Sequence, residues 1–108
     1  MAHRLYRMYN LYRVLSFDPA KNERNIRVRG LSFESVVGFD FETALYAVDD
    51  RHDYGETRHV AIGMLQERLH VLCFVEVDDG IRVISFRKAN PREVKRYAKA
   101  QTDDRRSR

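Results

Sequence analysis

Apolar and polar positions change rhythm along this chain near Phe41. Before it the spacing is helical: Asp18-Pro19 gives a cap and a fixed first helical φ, a short helix is expected to about Val28, and Gly30 offers a left-handed stop. Ser32 is placed to cap a second helix, with Phe33, Val36 and Val37 on one face and Leu31 and Val36 at the spacing of a hydrophobic staple. After Phe41 the pattern becomes strand-like over Ala44 to Val48, Arg58 to Leu65, Leu69 to Val77 and Ile81 to Phe86, with Tyr12 to Phe17 a further strand ahead of the first helix. Polar connectors separate these runs, and Asp78-Asp79-Gly80 is a tight hairpin signal.

The last element is the best specified. Asn90 can cap, Pro91 suits the first helical position and Glu93 completes a capping-box pattern. Val94, Tyr97, Ala98 and Gln101 then share one helical face, while Arg92, Lys95, Arg96 and Lys99 occupy the rest. The expected architecture is α+β: a small antiparallel meander with two N-terminal helices and a C-terminal helix packed on it. Residues 1–16 are expected as an arm holding part of the first strand, with Met8 an internal alternative start, residues 17–101 as the folded domain, and residues 102–108 as a disordered basic tail.

A chain of 108 residues with 44% hydrophobic and 33% charged residues has the composition of one globular domain. Its net charge of +4 is unevenly laid out. Residues 1–17 carry three arginines and no acid, residues 18–80 seven basic and thirteen acidic groups, and residues 81–108 ten basic and three acidic groups. A basic end on an acidic body gives an oriented field, and phosphate backbones are its natural partner. The single Cys73 lies in HVLCFVEV and reads as a small buried hydrophobe, so no disulfide framework is expected and a reducing cytoplasm fits. No apolar run is long enough to span a bilayer.

Candidate chemistry concentrates on arginine. Arg58, Arg82 and Arg87 lie on or beside strands, where a guanidinium can grip a phosphate with two parallel hydrogen bonds; equally, their stems can cover a sheet rim. Arg82 and Arg87 have opposite parity on an ideal strand, so they share a face only if a bulge or the strand end intervenes. Cleavage of a gripped phosphodiester would need a base for the attacking hydroxyl, an acid for the leaving oxygen and cations for the developing charge. Lys21, Glu56, Glu93 and Tyr97 are the available proton carriers; capping also explains Glu93, and packing explains Tyr97. His52, His59 and His70 lack zinc-ligand spacing, so neither metal nor cofactor is expected, and the six phenylalanines are spaced like core.

Several segments in order, FDPAKNERNIRVRGLSFESV, GETRHVAIG and IRVISFRKANPREVKRY, resemble the BrnT ribonuclease toxins of bacterial type II toxin–antitoxin modules, distant relatives of the RelE and ParE toxins. The matching features are Asp18, Lys21 and Asn25, the glycine and "SFE" at Gly30 and Ser32 to Glu34, Arg58 before a strand, and the ending around Arg82, Ser85, Arg87, Glu93 and Tyr97. The usual lysine–histidine pair before that glycine is Val28-Arg29 here. The resemblance implies a RelE-like fold and a cytoplasmic, metal-independent endoribonuclease that inhibits translation. It also implies a hetero-oligomer with a BrnA-like, DNA-binding antitoxin. It assigns Lys21, Arg58, Arg82, Arg87, Glu93 and Tyr97 to catalysis, and Arg29, Ser85, Lys88, Arg92, Lys95 and Arg96 to RNA binding. The alternative is a non-catalytic nucleic-acid-binding or antitoxin-binding module, which Arg29 in place of histidine keeps open.

Overall fold

A computed structural model describes residues 15–51 and 53–106, with side chains described to residue 103. The expected arm at residues 1–16 therefore lies outside the described residues except for Leu15 and Ser16. The elements run β1 (Leu15–Phe17), α1 (Pro19–Arg29), a 3₁₀ helix (Phe33–Gly38), β2 (Leu45–Asp49), β3 (Arg58–Leu65), β4 (Arg68–Val77), β5 (Gly80–Lys88) and α2 (Pro91–Arg106).

The sheet order is β1-β5-β4-β3-β2. The strands from β2 to β5 form the expected antiparallel meander, but β1 adds in parallel to β5, with Leu15 opposite Ile81 and Phe17 opposite Val83, so the sheet is mixed. The segment capped by Ser32 is a single 3₁₀ helix and not a second α-helix. Its caps explain the limit: Ser32 Oγ accepts from Glu34 N–H at 3.1 Å, and seven residues later Phe39 is already extended and bridging to Leu65. At the other end of the chain α2 continues to Arg106, past Thr102, where a tail was expected.

One sheet face holds the main core. Ala61, Leu72, Phe74, Ile81, Val83 and Phe86 from the strands are covered by Phe33, Val36, Phe39 and Phe41, all essentially excluded from water. Aromatic edges interlock there, Phe39 lying 5.0 Å from Phe41 and 6.0 Å from Phe86. His70, read from sequence as a surface or cross-strand residue, is buried against Phe86; its Nδ1 sits 2.8 Å from the Arg68 carbonyl, and burial pushes its pKa down. Gly63 is required by this packing, because a Cβ there would stand 2.7 Å from Phe39 Cζ and 2.9 Å from Ala44 Cβ. Gly63→Ala should cost about 1–3 kcal/mol through overpacking and lower the thermal midpoint by several degrees in a calorimetric scan. An unchanged midpoint would mean the Phe39 ring does not hold this position.

Among the described residues, the second face is only half covered. Ile62, Leu69 and Val71 pack with Ala89 and with Tyr97 of α2, and the other half stays open. Helix α2 meets the sheet through Glu93, Tyr97, Ala100 and Gln101, while Val94, expected on the packed face, is 43% exposed and Ala98 is exposed too. The cause is the roll of the helix: Glu93 is drawn down to Arg87, and Tyr97 Oη and Gln101 Nε2 each donate to the Thr43 carbonyl at 3.3 Å.

Candidate functional site

The open half of that second face is a concavity of about 400 Å³. Its floor is one cross-strand row of small side chains, Ala47, Val60, Cys73 and Ser85, each opposite the next in the register. Charged groups form the rims: Asp49, Arg51 and Arg58 at one end, Arg87, Glu93 and Arg96 at the end beside α2. Burial pushes the Cys73 thiol pKa up, which suits a floor residue and not a nucleophile.

A bulge in β5 assembles the arginines. Cys73 lies opposite Ser85 and the next residue, Phe74, opposite Val83, so Ile84 is the extra residue. Val75 then faces Arg82 and Val71 faces Arg87, which brings Arg82, Ser85 and Arg87 to one face despite their opposite parity. Had β5 been regular, either Arg82 would lie in the phenylalanine core or Arg87 would.

Each arginine is held by a carboxylate. Arg82 NH2 donates to Glu56 Oε1 at 2.7 Å, and Arg58 Nε lies 3.7 Å from Glu56 Oε2 with its guanidinium 3.9 Å from the centre of the Tyr54 ring. Arg87 makes a two-pronged contact with Glu93, NH1 to Oε1 and NH2 to Oε2, both at 2.8 Å. Glu93 also closes the capping box with Asn90, accepting from its N–H while Asn90 Oδ1 accepts from the Glu93 N–H, both at 2.9 Å. The Arg82 hydrogen bond holds Glu56 below the ordinary carboxylate range, and the Arg87 fork lowers Glu93 to about 2.

That depression has a sign. A carboxyl whose folded pKa lies below its unfolded value adds stability above the unfolded value, near 4.5, and loses it as pH falls through the folded value near 2. Asp49, also held near 2 by Arg51, acts in the same window. Glu93→Gln should therefore flatten the loss of urea stability between about pH 5 and about pH 2, leaving the part due to Asp49 and Glu56. Parallel acid profiles for the variant and the parent would contradict the fork.

A second shallow concavity joins the first across Ile84 and Ser85, which line both. Its other walls are Lys21, Arg24, Asn25, Val28 and Arg29 of α1. This helix is anchored by polar groups. Asn25 is buried, its Nδ2 donating to the carbonyls of Leu31 and Phe86 at 2.9 Å each, while its Oδ1 accepts from Arg29 at 3.3 Å and Asn22 Oδ1 accepts from the Phe33 N–H at 2.8 Å. Asn25 thus caps the edge of β5 just where β1 has ended.

Of the residues assigned from sequence, Arg58, Ser85, Arg87, Glu93 and Arg96 line the main concavity, Arg82 adjoins it through Glu56, and Lys21 and Arg29 line its neighbour. The others lie apart. Tyr97 packs over the Ile62 cluster, Lys88 pairs with His70 on the opposite face, and Arg92 and Lys95 flank the start of α2. Sequence reasoning passed over Asp49, Arg51, Tyr54 and Arg24. The signal for Asp49 was its parity with Leu45 and Ala47 on β2.

What the fold and site define is a small α+β domain whose open sheet face gathers guanidinium groups around a floor of small side chains. Residues 17–93 match the family model described as ribonuclease toxin, BrnT, of type II toxin–antitoxin system, and the chain belongs to that family. No curated protein and no solved structure matches it.

Proposed function

We propose that this chain is a metal-independent endoribonuclease that inhibits translation and is silenced by a DNA-binding antitoxin resembling BrnA, bound to it as a hetero-oligomer. The observation that carries this reading is the β5 bulge, which turns Arg82 and Arg87 to the face that also bears Arg58. The 2′-oxygen attacks the adjacent phosphorus, the 5′-oxygen leaves with a proton, and the products are a 2′,3′-cyclic phosphate and a 5′-hydroxyl end. Arginine stays protonated and supplies only charge. A phosphate that draws Arg82 from Glu56 removes the hydrogen bond that depresses the carboxylate, which moves back toward its ordinary basicity and accepts the 2′-hydroxyl proton. Lys21, which lines the adjoining concavity together with Ser85, serves the leaving oxygen. Glu93, with a pKa near 2 and two structural duties, holds Arg87 and the helix start and does not carry a proton. Arg29, Ser85 and Arg96 contact the flanking backbone, with Lys88, Arg92 and Lys95 adding field at longer range; Tyr97 supports α2.

One observation favours a second reading, in which the chain binds RNA without cutting it. Both carboxylates beside the arginines are held ionised, and the family histidine is Arg29 here. Expression decides between them: the chain alone should arrest growth of a cognate bacterial host, and co-expression of the antitoxin should restore colonies. Normal growth at verified protein levels would favour the binding module.

A further inference from the structure

The grip on Arg58 is unlike the grip on Arg87. Among the described residues its Nε is buried without a hydrogen-bond partner, the Glu56 carboxylate oxygen being 3.7 Å away, so hydrogen bonds from Nε do not fix the orientation of its guanidinium. What lies against it is the Tyr54 ring, 3.9 Å away. Tyr54 is placed in turn by Asp49, whose side chain is 4% exposed on β2 directly opposite Arg58. Asp49 Oδ2 accepts from Tyr54 Oη at 3.3 Å and from Arg51 NH2 at 3.0 Å, while Oδ1 accepts from Arg51 Nε at 2.8 Å and from the Arg51 N–H at 3.3 Å. One buried carboxylate thus folds the chain after β2 back over the sheet and sets the ring against the arginine.

We infer that Asp49 is a positioning residue: through Arg51 and Tyr54 it holds the Arg58 guanidinium aimed into the concavity, where it meets a phosphate of the RNA. The chemistry requires a carboxylate. An amide of the same size has one acceptor oxygen in place of two and no charge, so it cannot hold both nitrogens of the Arg51 fork together with the Tyr54 hydroxyl. The effect on rate rests on the proposed role of Arg58 in RNA cleavage; the geometric effect does not.

Two readouts on the full chain test it. The first is the Arg58 Nε–H resonance in nitrogen-15 NMR spectra, displaced by the ring current of Tyr54. Asp49→Asn should abolish that displacement, and so should Tyr54→Leu, a half-buried side chain whose loss leaves both cores intact. The second is a double-mutant cycle on RNA cleavage. Asp49→Asn should lower kcat/KM about tenfold in the parent and leave Arg58→Ala no worse than it was, because the residue acts only through Arg58. A displacement that survives in folded Asp49→Asn or in Tyr54→Leu overturns the inference, as does a cycle in which the two losses simply add. A parent that binds RNA uncut refutes the proposed nuclease and leaves the resonance to decide on Asp49.

Discussion

Arg82→Ala should lower the rate of RNA cleavage by about 10²–10³, the cost of removing one preorganised donor from a developing oxyanion. In the proposed mechanism Arg82 is the strand arginine whose capture by substrate frees the proton acceptor. Its side chain is 39% exposed and gives one guanidinium nitrogen to Glu56, so a phosphate that took it would release that carboxylate. Alanine removes both effects together. The fold is indifferent, because the pair stands at the surface of the open face and the core side chains on either side of Arg82, Ile81 and Val83, point the other way. Arg68→Ala, at the exposed start of β4 beyond the β3–β4 turn, provides the comparison and should cleave at the parental rate. Equal rates in the two variants, with parental melting curves in both, would remove the strand arginines from the catalytic assignment.

The largest effect on stability is expected at Asn25. Asn25→Leu keeps the branched side-chain shape and removes the amide that bonds two carbonyls, those of Leu31 and Phe86. Leaving these carbonyls without that partner should cost about 2–4 kcal/mol, or about 10–20 °C in Tm for a domain of this size. Burial cannot compensate, since Ile26 and Val28 of the same helix are already 44% and 67% exposed and bury little against the sheet. Detaching α1 also takes Lys21, Arg24 and Arg29 from the rim of the site. Lys21→Ala, an exposed truncation on the same helix, should leave the melting curve in place. A Tm in Asn25→Leu within a degree or two of the parent would show that α1 is held by something other than its buried amide.

Local signals in the chain account for most of the fold. The Arg58–Leu65 strand, the stop at Gly30 with φ 66°, and the Asn90-Pro91-Glu93 helix start are all written in residues within a few positions of one another, and the structure has each of them where expected. The parallel pairing of β1 with β5 was not legible because its partners stand at opposite ends of the chain and a three-residue strand carries no pattern of orientation. Ser32 and the spacing of Phe33 and Val36 suit an α-helix and a 3₁₀ helix alike, and the Phe39–Leu65 bridge decides for the shorter form. The face of α2 followed hydrophobicity in the sequence but a salt bridge in the structure, since the fork from Arg87 outweighs burial of Val94. At the site, sequence supplied the arginines and the condition under which two of them could share a face; only the register shows Ile84 meeting it. The Asp49–Tyr54–Arg58 chain was hidden because it joins a strand end to a loop through contacts with no sequence period.

In the proposed reaction three arginines on one sheet face hold and neutralise the phosphate while RNA is cut without a metal. The direct measurement incubates the purified chain with end-labelled RNA in excess chelator and identifies the new termini. The account predicts internal cuts ending in 2′,3′-cyclic phosphate and 5′-hydroxyl groups, lost when Arg58, Arg82 and Arg87 are replaced together by alanine in a protein that still melts cooperatively. RNA that is bound but stays intact, or cuts that persist at the parental rate in the triple variant, would contradict it.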